Sequence, residues 1–249
     1  ALNPIMAQMA AETGFKAVYL SGGSLGWYKG VTEAGLSLTE MIQVVVDIRT
    51  VCKLPVVLDA DALNLIGAHG ALADLCSARA AAAVPIMVDA SARFDEDGAI
   101  DAAERLAEAD LVWFEEPIYP QSDHAALARV RTAAPMPIAA GENEFSLLGF
   151  ERLIGSGAVD IIQPEIAKFG GLTPARGIAE LADTARIPMY PHNYSLGPSL
   201  RANIHWAFTA PAARWLEVPW LPPGEGFPSS TPFPTLHDGC VLPPTDPGL

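Results

Sequence analysis

Six ionisable residues close successive apolar runs at nearly constant spacing. They are Asp89 in PIMVDA, Glu115 in LVWFEEP, Glu142 in PIAAGE, Glu165 in DIIQPE, His192 in PMYPH and Glu217 in RWLEVP. The gaps between them are 26, 27, 23, 27 and 25 residues. Each gap is about the length of one strand, one helix and two short loops, the unit of a parallel βα array. In a (β/α)8 barrel the C-terminal ends of the strands open on one mouth, so side chains at those ends share a pocket. Carboxylates gathered there repel one another unless a cation lies among them. Asp89, Glu115 and Glu142 offer three oxygen donors from adjacent strand ends. That set suits Mg²⁺, and Mn²⁺ accepts the same hard ligands. The bland alternative for each acid is a helix cap or an arginine partner.

Glu165 and His192 end consecutive runs. A carboxylate beside an imidazole fixes its tautomer and raises its basicity, which makes His192 a candidate general acid/base. Lys168 in PEIAKFGG follows three residues after Glu165 and either joins the catalytic set or is simply solvated. Glu217 either hydrogen-bonds a substrate oxygen when protonated or pairs with Arg214 or Arg201.

Positioning these residues takes eight strands and the helices between them. Two more strands precede Asp89, in KAVYLSGG (16–23) and LPVVLDAD (54–61). Apolar residues at three- and four-residue spacing predict helices over 38–51, 62–82, 97–109, 123–133, 145–155, 173–184 and 199–210. Asn3 before Pro4 predicts a further, N-terminal helix, with a cap and a proline at its first position. The strands are apolar nearly throughout, as expected where both faces are buried. From residue 219 the chain carries nine of its 22 prolines, and irregular structure is expected over 219–249. The expected architecture is one (β/α)8 TIM barrel over 1–249, with no capping domain.

The 249 residues match the usual size of one such barrel, and half of them are apolar. No apolar stretch is long enough to span a membrane, and the first residues lack the pattern of a secretion signal. Cys52, Cys76 and Cys240 share no metal-type spacing and read as reduced thiols of a cytoplasmic protein. A formal charge of −14 argues against a nucleic-acid partner. A small carboxylate substrate is the expected partner, and assembly into a homo-oligomer is left open.

From about residue 85 onward the chain resembles the barrel domain of the enolase superfamily, most closely its mandelate racemase-like branch. The resemblance rests on PIMVDA, WFEEP, IAAGEN, DIIQPEIAKFGG, PMYPHN, WLEVPW and the ending DGCVLPPTDPGL. It implies Mg²⁺ held by Asp89, Glu115 and Glu142, and His192 as general acid/base paired with Glu165. It also implies contact of Glu217 with a bound carboxylate substrate, and Asn193, beside His192 in PMYPHN, is placed with the substrate contacts. The chemistry so implied removes the proton α to a carboxylate, followed by loss of water, epimerisation or racemisation. Glu165 stands where the family usually has Asp, and the racemases' Lys-x-Lys at the end of the second strand is absent.

The first sixty residues, through NPIMAQMAAETGFKAVYLSGGSLGW, LSLTEM and LPVVLDAD, resemble the isocitrate lyase and phosphoenolpyruvate mutase superfamily. That resemblance implies a substrate contact at Ser21 and Mg²⁺ ligation by Asp59 and Asp61. Residues 1–61 would then be two βα units of a different parentage, making the chain a chimera. The leading functional expectation is a Mg²⁺-dependent dehydratase or epimerase. Its rivals are a folded but catalytically inactive chimeric or relic barrel, and a carbon–carbon lyase of the N-terminal segment's type.

Overall fold

A computed structural model describes residues 2–15, 18–30, 38–54, 56–58, 87–218, 236–237 and 240–245. The chain opens with α1 (Pro4–Glu12), where the Asn3 side chain accepts from the Met6 N–H at 2.9 Å and Pro4 occupies the first turn. Then come β1 (Val18–Leu20), α2 (Gly22–Lys29), α3 (Leu38–Val51) and β2 (Val56–Leu58). β1 pairs with β2 in parallel, and α1 packs on α3.

In the second half, strands and helices alternate as far as Ala185. β3 (Val88–Asp89), α4 (Glu96–Leu106), β4 (Phe114–Glu115), α5 (His124–Ala133), β5 (Ile138–Ala140), α6 (Leu147–Gly155), β6 (Ile161–Ile162), α7 (Leu172–Ala185) and α8 (Pro198–Thr209) follow in order. β3 to β6 form one parallel sheet, each strand beside the next, with Asp89 opposite Glu115. Parallel bridges from Ile162 to Met189 and from Met189 to Ala213 extend this sheet by two positions. The seventh and eighth expected strands are thus single-residue bridges. Pro188 and Pro191 flank Met189 and cannot donate to a ladder.

Side-chain alternation sorts the strands into two layers. Val88, Phe114, Ile138, Ala140 and Ile162 join the large core shared with the helices. Met87, Trp113, Ala139 and Ile161 form a separate cluster on the other face, with Tyr190 packed against it. Trp113 lies 5.4 Å from Tyr190 and 6.1 Å from Trp215, ring centre to ring centre. Trp113 precedes β4 and Trp215 follows the Ala213 bridge, so the sheet curls until distant strands meet across its inner face. Helix faces rich in alanine, such as Ala99, Ala102 and Ala103 on α4, let the helices seat closely on the outer face. Phe114 and Phe150 are fully buried between the layers, each contributing roughly 1.5–3 kcal/mol.

Polar caps set the helix starts. Asp95, Asp123 and Ser146 each accept from a backbone N–H three residues on. The expected helices at 97–109, 123–133, 145–155, 173–184 and 199–210 appear with bounds shifted by at most three residues, the last two starting after Gly171 and Gly197 without a side-chain cap, and the first ends in a 3₁₀ turn over Ala107–Ala109. Two expectations change. The strand expected over 16–23 is observed at Val18–Leu20, after which Ser21 opens helix α2, its Oγ accepting from the Ser24 N–H at 3.3 Å. Within the proline-rich tail, Leu236–His237 (β7) and Cys240–Val241 (β8) form a short antiparallel pair. Asp59, Asp61, Cys76, the helix expected over 62–82 and most of the tail lie outside the described residues.

Candidate active site

Parity along the strands places the site. Met87, Trp113, Ile161, Tyr190 and Trp215 face inward, so the residues two further on do as well: Asp89, Glu115, Gln163, His192 and Glu217. The aromatic residues make a floor and the polar ones a layer above it. Glu142 breaks the pattern. Counting from inward-facing Ala139, it would point at the helices. Gly141, at φ +124°, turns the chain so that Glu142 enters the polar layer instead. A Cβ on Gly141 would lie 3.0 Å from the Phe150 ring and 3.3 Å from the Gln163 backbone nitrogen. Only glycine fits there.

His192 is the hub. Its Nδ1 lies 3.0 Å from Glu165 Oε2 and its Nε2 2.9 Å from Glu142 Oε2, with Glu217 Oε2 at 3.9 Å. Burial alone would lower the imidazole's pKa. The hydrogen bonds to Glu142 and Glu165 and the charge of Glu217 overcome it and carry His192 up to about 11. Both ring nitrogens therefore donate. Glu142 and Glu165 are held below the usual carboxylate range: burial works against this, but the His192 bonds outweigh it. Backbone N–H groups of Ala167 and Tyr194 also donate to Glu165, at 3.1 and 3.3 Å.

Glu115 is displaced the other way. Burial raises it to about 8, assisted by the charges of Glu142 and Glu217 and opposed by donors from Gln163 and Trp113. The Trp113 Nε1–H reaches its Oε2 at 2.8 Å from the floor. Asp89 accepts from the Ser91 backbone at 2.8 Å and from the Ser91 hydroxyl at 3.2 Å. Lys168 Nζ donates to Asn143 Oδ1 at 3.1 Å and stands 3.8 Å from Glu142 Oε1, so it faces this cluster. Among the described residues, no three His, Cys, Asp or Glu side chains converge tightly enough to grip a metal ion as they stand. In this arrangement Glu142 is turned to His192.

Two expected substrate contacts have other partners. Asn193 is fully buried. Its amide donates to Ser195 O at 2.9 Å and its Oδ1 accepts from Asn203 at 3.1 Å. Its backbone N–H donates to Glu217 Oε2 at 2.9 Å. Asn193 thus braces Glu217 from inside the protein. Ser21 Oγ is engaged in capping α2.

Four residues escaped the sequence reading. Glu116, on the outward parity, accepts from the Gly141 N–H at 2.8 Å, and burial pushes its pKa up to about 7. Its signal was the second Glu of WFEEP. His124 Nε2 and Glu144 Oε1 meet at 2.6 Å, joining the start of α5 to the loop after β5; nothing in the sequence pairs them. Gln163 hydrogen-bonds Glu115 from the end of β6, two strands away in the sheet. It was visible as the lone polar residue between the apolar Ile161–Ile162 pair and Pro164.

Residues 5–249 match the family model described as enolase C-terminal domain-like. The chain belongs to that family. Among relatives of this enolase-type domain, it is 32% identical to a 3,6-anhydro-alpha-L-galactonate cycloisomerase of Streptomyces coelicolor over 165 residues, 66% of the chain and 43% of that protein. The chain spans less than half the length of the curated relatives it matches first. Among solved structures, an enolase from Bradyrhizobium complexed with magnesium and mandelic acid aligns with a TM-score of 0.59 at 29% identity, over 82% of this chain and 52% of that one. An L-talarate dehydratase from Polaromonas sp. JS666, complexed with Mg and L-glucarate, aligns at 0.67 and 26%, over 96% and 63%. Both resemble the present domain in fold and sequence.

Proposed function

We propose that this chain is a (β/α)8 barrel, closed and forming a single domain, that removes the proton α to the carboxylate of a small hydroxy acid, with elimination of water as the preferred outcome. The observation that carries this reading is the bracketing of His192 by Glu165 and Glu142 at one shared mouth. The enolase-type family and the magnesium and hydroxy-acid complexes of similar structures support it.

Asp89, Glu115 and Glu142 would hold Mg²⁺, or Mn²⁺ in its place. Their chemistry fits: all three offer carboxylate oxygens, and Glu115 is already lifted to about 8 by burial and carboxylate neighbours. Positive charge among them offsets that repulsion. When bound, the ion supplies the charge that offsets negative charge growing on the substrate carboxylate as the proton leaves.

His192 handles the proton. Bridged to two carboxylates it is an imidazolium and can only donate. Nε2 becomes free to accept the α-proton once Glu142 is engaged elsewhere, while Glu165 keeps Nδ1–H and the ring in place. The same nitrogen can return its proton to a departing hydroxyl. Glu217, fixed by the Asn193 N–H, faces the substrate side of the ring. Lys168 beside Glu142 is the alternative base.

The test is solvent exchange. The protein with Mg²⁺ in D₂O is given a panel of acid sugars, and deuterium at the α-carbon is followed by NMR. Exchange in the wild type that disappears in His192→Asn is the expected result. Exchange at the wild-type rate in His192→Asn would remove His192 and turn attention to Lys168. No exchange with any acid would favour a barrel that folds without turning over substrate.

A further inference from the structure

Gln163 is a neutral residue in a layer of acids, 6% exposed. Its amide hydrogen-bonds Glu115, and its backbone N–H is taken by Ala140 O at 3.0 Å. Its Oε1 is buried and has no hydrogen-bond partner. A buried acceptor left unmade is costly and is seldom kept without reason. Apolar residues fill the floor directly beneath, at Ile161 and Trp113, so a leucine or methionine would serve packing alone. By parity this side chain enters the same polar layer as Asp89, Glu115, His192 and Glu217. An amide there can do what a carboxylate cannot: its NH₂ donates to Glu115 while its oxygen still accepts.

We infer that Gln163 is a positioning residue of the cation site, holding Glu115 through its amide NH₂ and accepting through Oε1 a hydrogen bond from water or hydroxyl on the ion. The inference rests on the cation reading proposed above. It assigns Gln163 a part in setting ion affinity and not in proton transfer. A water held on a divalent ion is a strong donor, and Oε1 is the one acceptor in this layer, among the described residues, that is buried without a partner. Neutrality also matters. A further carboxylate here would add to the repulsion that already raises Glu115.

The experiment titrates Mn²⁺ into wild type, Gln163→Leu and Gln163→Glu by electron paramagnetic resonance, with thermal unfolding of each metal-free protein alongside. Gln163→Leu is expected to weaken Mn²⁺ about tenfold, the loss of roughly one hydrogen bond, with metal-free Tm unchanged or raised. Gln163→Glu keeps the acceptor and is expected to bind Mn²⁺ within threefold of wild type, with a lower metal-free Tm. A purely structural Gln163 gives the opposite: a lower metal-free Tm in Gln163→Leu with unaltered Mn²⁺ affinity, which overturns the inference. Equal weakening in both variants overturns the acceptor role. Wild type that fails to bind Mn²⁺ at all overturns the cation reading itself, and the inference with it.

Discussion

Glu115→Gln tests the electrostatics of the pocket without any substrate. Glu115 rises from an ordinary 4.5 to about 8 in the folded protein. Below pH 4.5 the group is protonated in both states and contributes nothing to pH dependence. As pH climbs from 4.5 to 8 the unfolded chain ionises freely while the folded one resists, so folded stability falls and the loss is complete above pH 8. Fully expressed, a shift of this size amounts to about 5 kcal/mol. The carboxylate is only part-buried at the pocket mouth, and water screening reduces the effect to about 2–3 kcal/mol. Glutamine removes the charge and keeps the shape. Its amide can still face the Trp113 indole, which donates at 2.8 Å. Metal-free Glu115→Gln should therefore melt about 5–10 °C above wild type at pH 9, taking roughly 2–4 °C per kcal/mol for a chain of this size. At pH 4 the two should nearly coincide. Differential scanning calorimetry across pH 4–9, with chelator present, measures this directly. A variant that melts lower at pH 9, or a difference that does not grow with pH, would refute the reasoning.

Other outcomes follow from the same geometry. His192→Asn should lose α-carbon exchange and retain Mg²⁺ binding by calorimetric titration, while Glu142→Ala should lose both. Glu165→Gln should keep the ion and slow exchange by one to two orders of magnitude, because the imidazolium loses its charged partner. Gly141→Ala should cost about 1–3 kcal/mol in urea unfolding, given φ +124° and a Cβ 3.0 Å from Phe150, and should weaken Mn²⁺ by swinging Glu142. Asp160→Ala should cost about 1–3 kcal/mol by the same measurement. It unpairs Arg131, bonded at 2.7 and 2.9 Å, and strips the Ile138 N–H of its acceptor.

Much of the site was legible because two regularities coincide. The βα period fixed which residues end strands, and parity fixed which of them face inward, so five of the six spaced residues were already in phase. Glu142 was found by spacing although parity opposes it; the glycine that reorients it was in plain view as PIAAGE. Gln163 was passed over because a search for charge ignores an amide, yet a polar residue in an otherwise apolar buried strand is itself a signal. Asn193 was read as a contact from its place beside His192. Adjacent residues in extended chain face opposite ways, and Asn193 turns inward to the protein for that reason. Helix α2 was missed because Ser-Gly-Gly reads locally as a turn, whereas the Ser21 hydroxyl makes it a helix start. The pairing of His124 with Glu144 depends on the start of α5 meeting the loop after β5 in space, which no local pattern encodes.

The aromatic floor has an optical consequence. Two of the five tryptophans, Trp113 and Trp215, lie together with Tyr190 under the polar layer. Of that pair, Trp113 donates to an acid, Glu115. Indole emission responds to a nearby charge along its long axis, so any event that neutralises Glu115 should change the colour and yield of this one residue. The chain thus carries a built-in indicator of its pocket's charge. Occupancy could be followed in a fluorimeter, in real time and unlabelled, with no substrate present.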